Sequence, residues 1–130
     1  LVVDDVPMNR KMICRVLKGK CRGTIEAEDG AIAVNLVKQR LLEGTGGGGG
    51  EGVAIPIDVI LMDYVMPNMN GPEATRLIRS LGYAGIIIGV TGNALPNDIQ
   101  MFLCSGADRV LMKPLDTEML RETFAGKRWL

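Results

Sequence analysis

Apolar residues fall in short runs along this chain, and the polar residues that end those runs recur in a regular order. Val59-Ile60-Leu61-Met62 stops abruptly at Asp63 and is followed by the turn formers Pro67, Asn68, Asn70 and Gly71. A short apolar run bounded by turn signals reads as a buried strand or as a piece of buried helix. The β-branched Ile57, Val59 and Ile60 favour a strand over 57–62. Residues 86–90 are apolar on both faces and predict another strand, ending at Thr91-Gly92-Asn93. Shorter runs predict strands over 1–3 and 109–112, and a weaker one over 24–27.

Between these runs the period changes from two to between three and four. Met8, Met12 and Val16, with Ile13 and Leu17 beside them, predict an amphipathic helix. Pro7 fits its first turn, where a missing N–H costs nothing, and Lys18-Gly19-Lys20 ends it. Ala33, Val37 and Leu41, with Leu36 alongside, predict a second helix over 31–43, capped by Asp29-Gly30. Ala74, Ile78 and Leu81 predict a third, opened by Gly71-Pro72-Glu73 and stopped by Gly82. A fourth spans 96–105 and stops at Gly106. A fifth is capped by Asp116 or Thr117, with Leu120 and Phe124 inward. Strand and helix thus alternate five times with short connections, which predicts a parallel sheet covered on both faces. Right-handed crossovers make a doubly wound, flavodoxin-like α/β fold with strand order 2-1-3-4-5 the natural solution.

Composition narrows the chemistry. The 130 residues suit one domain, 1–130, and 47% of them are hydrophobic, enough for a core. Fifteen basic residues balance fifteen acidic ones, so no global charge draws the chain to nucleic acid or to an anionic membrane. No apolar run reaches membrane-spanning length. Cys14, Cys21 and Cys104 form no C-x-x-C pair, which fits reduced thiols and a cytoplasmic setting. Cys14 and Cys104 are expected on or beside packed helix faces, and the eight methionines as core filler. Histidine is absent, which removes His-based triads and His-ligated zinc. Residues 44–52 have the composition of a flexible linker and are expected as a disordered surface insertion. The chain starts inside an apolar run without a methionine, and is expected to be a fragment of something longer. Trp129 is expected to anchor the last helix or to serve a contact outside the fragment.

Four strands end at polar residues: Asp4 and Asp5, Asp63, Thr91, and Lys113. In a 2-1-3-4-5 sheet these strands are contiguous, so the residues converge on one rim, where ligands bind in such sheets. Three crowded carboxylates repel, and at least one pKa rises unless a cation is present. Oxygen ligands without nitrogen or sulfur suit a hard ion such as Mg²⁺. A carboxylate is also a competent nucleophile toward phosphorus. Lys113 would supply a point charge, and Thr91 a hydroxyl, to phosphoryl oxygens.

Leu-Val-Val-Asp-Asp at 1–5, Met-Asp-Tyr-Val-Met-Pro-Asn-Met-Asn-Gly at 62–71, Val-Thr-Gly-Asn-Ala at 90–94 and Met-Lys-Pro-Leu at 112–115 together resemble a response-regulator receiver domain. The Asn-Ala after Thr91-Gly92 and the 67–71 turn look most like receivers of hybrid histidine kinases. The resemblance implies that Asp63 is the phosphoacceptor and that Asp4 and Asp5 hold Mg²⁺ with the backbone carbonyl of Val65. It implies that Thr91 turns toward the phosphoryl group, that Lys113 neutralises it, and that the Lys113–Pro114 peptide is cis. The implied partner is a histidine kinase or a histidine phosphotransfer protein, which supplies the phosphohistidine this chain lacks. Many family members carry Tyr or Phe three residues before the lysine as a rotameric switch; here that position is Val110. A degenerate receiver that only docks a partner is the alternative reading. A phosphatase working through an aspartyl phosphate fits poorly, because Val65 stands where such enzymes place a second Asp.

Overall fold

The computed structural model describes residues 1–19, 21–45, 57–92, 95–115 and 117–124. Five strands, β1 (Val2–Val3), β2 (Glu26–Ala27), β3 (Val59–Asp63), β4 (Ile86–Thr91) and β5 (Arg109–Met112), alternate with five helices. These are α1 (Pro7–Leu17), α2 (Gly30–Thr45), α3 (Gly71–Ser80), α4 (Pro96–Ser105) and α5 (Thr117–Phe124). The strands form one sheet of order β2-β1-β3-β4-β5, parallel at every pairing.

Side chains alternate across a strand, and here the alternation sorts the core into two layers. Val3, Ile60, Met62 and Ile87 pack with Ala33 and Val37 of α2, Ala74 and Ile78 of α3, and Phe102 of α4. Val2, Leu61, Ile88, Val90 and Leu111 pack with Ile13 and Leu17 of α1 and Leu120 of α5. The sheet is therefore doubly wound, with α2, α3 and α4 on one face and α1 and α5 on the other. The same alternation places Asp4, Asp63 and Lys113, each two residues beyond Val2, Leu61 and Leu111, on the α1/α5 side of the rim.

Local signals account for the helix ends. Pro7, Pro72 and Pro96 each stand at the start of a helix, and Asp29 Oδ1 accepts from Ile32 N at 2.9 Å at the start of α2. The cap of α3 is Asn70 rather than Gly71, its side chain accepting from Glu73 N at 2.9 Å. The amphipathic stripe of α1 is rotated from the one expected. Met8 is 79% exposed, and the buried residues are Arg10, Ile13 and Leu17. Met12 and Val16 only border the core. At about 100° per residue Met8 falls on the face of α1 opposite Arg10, Ile13 and Leu17, which is turned to solvent. Leu81, expected in the inner stripe of α3, is exposed just past the end of that helix, and Cys104 lies on the exposed side of α4. Gly44 and Thr45, expected in the glycine-rich insertion, are instead the last residues of α2. Residues 46–52, Asn93-Ala94, Asp116 and Trp129, and the side chains of Thr117 and Phe124, lie outside the described residues.

Candidate functional site

The C-terminal ends of β1, β3, β4 and β5 meet at one rim of the sheet. Asp4 and Asp63 are both buried there and Asp5 is exposed, and the three offer carboxylate oxygens within 4.8 Å of one another. An all-oxygen set at that spacing, open on the Asp5 side, fits a hard divalent cation that retains water ligands. Lys113 reaches into the same cluster from the end of β5. Its Nζ lies 2.9 Å from Asp63 Oδ1 and 3.7 Å from Asp4 Oδ2.

The surrounding hydrogen bonds fix the acids. Val6 N donates to Asp4 Oδ1 at 2.9 Å, and the Asn9 side-chain amide to Asp4 Oδ2 at 3.3 Å. Arg10, buried at the base of α1, donates to the Asp4 carbonyl at 2.7 Å and pairs with Glu26 of β2 at 3.2 Å. Tyr64 N donates to Asp63 Oδ1 at 3.0 Å and to the Val90 carbonyl at 2.9 Å. Lys113 N donates to the Thr91 carbonyl at 2.8 Å, so the ends of β4 and β5 stay in register up to the rim. The Lys113–Pro114 peptide is cis.

Electrostatics differ in origin from the mutual repulsion expected of three acids. Burial is the main cause that pushes the Asp63 carboxyl above its ordinary range. The Lys113 hydrogen bond pulls the other way, and the charge of Asp4 adds to the rise as a lesser cause. For Lys113, burial works to lower the pKa, but the hydrogen bond and charge of Asp63, with Asp4 and Asp5 behind them, leave it raised. Lys113 is thus a full ammonium at neutral pH, aimed at a carboxylate whose negative form the fold does not fully compensate.

The expected site residues divide into those the fold brings together and those beside them. Asp4, Asp5, Asp63 and Lys113 form one cluster. Thr91 is buried at the end of β4, joined to Lys113 through the backbone. Val65 lies two residues beyond Asp63 with its side chain 70% exposed. Val110 is not at the rim: it pairs with Gly89 in the β4–β5 register and packs against the α2/α3/α4 layer. A cleft of about 350 Å³ opens beside the cluster, lined by Asp4, Asn9, Met12, Gly92, Lys113 and Pro114 among others. Asn9 and Arg10 were not anticipated from the sequence. The only signal for them was position, one turn beyond the acidic pair on the helix that follows it.

Similarity to known proteins agrees with this site. The model of the response regulator receiver domain matches residues 1–125. The two-component response regulator ORR41 of Oryza sativa subsp. japonica is 38% identical over 122 residues, 92% of this chain and 86% of that protein. The sensor histidine kinase RcsC of Salmonella typhimurium is 36% identical over 125 residues, but these make 96% of this chain and only 12% of the kinase. Among solved structures, the chemotaxis protein CheY4 of Vibrio cholerae aligns with a TM-score of 0.75 at 27% identity, over 94% of this chain and 91% of that one. The receiver domain of the histidine kinase CKI1 of Arabidopsis thaliana aligns with a TM-score of 0.73 at 30% identity, over 94% and 86%. Sheet order, acidic rim and sequence similarity over nearly its whole length agree: this chain belongs to the response regulator receiver domains of two-component signalling.

Proposed function

We propose that this receiver domain is a working phosphoacceptor in a phosphorelay. Asp63 takes a phosphoryl group from a phosphohistidine on a histidine kinase or a histidine phosphotransfer protein. An Asp63 carboxylate oxygen forms the new P–O bond as the P–N bond to the partner's imidazole breaks, and the electron pair returns to that nitrogen. Asp4, Asp5 and Asp63, with the carbonyl of Val65, would hold Mg²⁺. When bound, that ion supplies positive charge to the phosphoryl oxygens and offsets the crowded acids.

The chain's own groups do the rest. Lys113 places an ammonium beside the oxygen that attacks, where it can follow the charge onto the phosphoryl group. The backbone N–H of Tyr64 orients the carboxylate, and Asn9 steadies Asp4. Thr91 contributes its hydroxyl to a phosphoryl oxygen. The observation that carries this reading is the 2.9 Å contact between Lys113 Nζ and Asp63 Oδ1 inside a three-carboxylate cluster. The domain is an acceptor and switch; the kinase activity and the output belong to partners. Its setting is the cytoplasm, as part of a larger kinase or of a separate regulator; no described helix is long and apolar enough to cross a membrane.

The test is direct. The domain is incubated with Mg²⁺ and acetyl phosphate and weighed intact beside Asp63→Asn. Gain of one phosphoryl group, absent in the variant and absent without metal, is the expected result. No gain by a folded domain would overturn the phosphoacceptor reading and leave a module that only docks its partner.

A further inference from the structure

The ring of Phe102 is wedged between helix α4, strand β4 and the turn that follows Asp63. It is fully buried. At one end it lies on Gly89 of β4, where an added Cβ would come within 2.7 Å of Phe102 Cγ and 2.8 and 2.9 Å of its Cδ atoms. At the other end its Cζ would lie 2.6 Å from a Cβ added at Gly71, and that same Cβ would strike the backbone carbonyl of Asp63. One ring therefore fills the space between α4, the middle of β4 and the turn packed on Asp63. Only glycine at 71 and 89 leaves room for it.

Tyr64 completes the connection. Its ring meets Phe102 edge to face, with centroids 5.3 Å apart and planes at 89°. Burial first, and then the nearby Asp98 carboxylate of α4, raise the pKa of its phenol. Its backbone N–H, meanwhile, holds Asp63 Oδ1 and the Val90 carbonyl. Tyr64 thus touches the rim with its backbone and α4 with its side chain. The position three residues before Lys113, Val110, is not aromatic; it faces Gly89 across the β4–β5 ladder, beneath the layer that Phe102 occupies. The aromatic ring packed on Gly89 comes from α4, not from β5.

We propose that Tyr64 and Phe102 are the coupling residues that pass the state of Asp63 to helix α4. The proposal rests on the phosphoacceptor reading and adds the route by which the site is read. A group added to an Asp63 oxygen competes with or displaces the Tyr64 N–H bond and moves the Tyr64 backbone. A close-packed contact transmits such a displacement, because no void absorbs it. The ring pair then biases where α4 sits. Neither side chain supplies an oxygen or a charge to the cluster, so phosphoryl uptake itself does not depend on them.

The experiment compares the full chain with Phe102→Leu and Phe102→Met. Intact mass after acetyl phosphate and Mg²⁺ reports uptake at Asp63. Backbone amide NMR shifts of Asp98 to Ser105, before and after saturation with beryllofluoride and Mg²⁺, report the response of α4. The expected result is uptake in all three proteins, with the α4 shift changes reduced at least threefold in both variants. Phe102→Met keeps more of the buried volume and serves should Phe102→Leu unfold. Undiminished α4 shifts in a variant that takes up phosphoryl would overturn the coupling and leave the phosphoacceptor reading intact. No uptake by the wild type would overturn both.

Discussion

Asn68 donates its side-chain amide to Asp29 Oδ2 at 2.9 Å, across 39 residues of sequence. The other oxygen of the same carboxylate caps α2 through Ile32 N at 2.9 Å. Asp29 therefore pins the turn that follows Asp63 to the start of a neighbouring helix. Asn68 adopts φ 66°, in the left-handed region that asparagine tolerates better than most residues. The hydrogen bond from Ile32 N, then that from Asn68, hold the Asp29 carboxyl below its usual range. A carboxyl with a depressed folded pKa contributes stability above its unfolded value, near 4, that is lost as pH falls through the folded value. Asp29→Ala is expected to cost about 1 kcal/mol at pH 7, the usual value of a lost helix cap, and the gap from wild type to narrow toward pH 3. Thermal melts of both proteins at the two pH values check this.

Asp63 has the opposite sign. Its pKa is raised, chiefly by burial, so its ionised form is held less well in the folded chain than in the unfolded one. A raised carboxyl loses stability for the fold as pH rises from the unfolded value through the folded one. In metal-free buffer at pH 7, Asp63→Asn is expected to melt higher than wild type. Each kcal/mol recovered is worth about 4 °C in a domain of this size. Differential scanning calorimetry in the presence of a chelator would show it, and a lower melting temperature for the variant would contradict the charge balance described here.

Lys113→Ala separates two roles that the wild type combines. Without the ammonium, Asp63 is buried next to Asp4 with no cation, and the metal-free domain is expected to lose about 2 kcal/mol. That figure lies below the usual cost of breaking a buried pair, because Lys113 is partly exposed. The more negative cluster is expected to bind Mg²⁺ more tightly, while phosphoryl uptake from acetyl phosphate falls at least tenfold. Calorimetric Mg²⁺ titration and timed intact-mass measurements give the two numbers. Weaker Mg²⁺ binding in this variant would mean that Lys113 organises the cluster rather than opposing it.

Magnesium binding is expected to stabilise the native chain by linkage, about 1.4 kcal/mol at ten times the dissociation constant. Protons compete for the same carboxylates, and the raised pKa of Asp63 makes that competition begin at higher pH than for an ordinary aspartate. The melting-temperature gain from a fixed Mg²⁺ concentration therefore shrinks as pH is lowered from 7 to 5. Asp5→Asn, an exposed change, is expected to abolish most of the gain at pH 7 without lowering the metal-free melting temperature.

Arg79 holds the end of the sheet opposite the rim. Its guanidinium donates to the carbonyls of Tyr83, Gly85 and Gly106 at 3.0, 2.7 and 3.0 Å, and pairs with Asp108 at 2.9 Å. Asp108 Oδ2 also accepts from Ile87 N, at 2.9 Å. Arg79→Ala removes donors from three partly buried carbonyls and is expected to cost about 2–3 kcal/mol, with phosphoryl uptake unchanged at temperatures where the chain stays folded. Urea unfolding monitored by circular dichroism gives the value.

The sequence alone laid out the alternation of strands and helices, because apolar runs closed by turn formers alternate with stretches of helical period. It also determined which polar residues share the rim. Asp4, Asp63 and Lys113 each stand two residues beyond a buried apolar residue of a contiguous strand, and a period of two carries them to one side. Parallel order followed from the alternating helices. What periodicity does not specify is the partner on the other side of a contact. It predicted an apolar stripe through Met8 that the structure leaves in solvent, because the face of α1 that meets the sheet runs through Arg10, Ile13 and Leu17. Arg10 reads as a surface charge until β1 and β2 bring the Asp4 carbonyl and Glu26 to it. Phe102 reads as one more apolar residue on α4. Only the fold lays its ring on Gly89 and Gly71 and against Tyr64, joining positions far apart in sequence, since close packing depends on which surfaces meet and not on the pattern along either one.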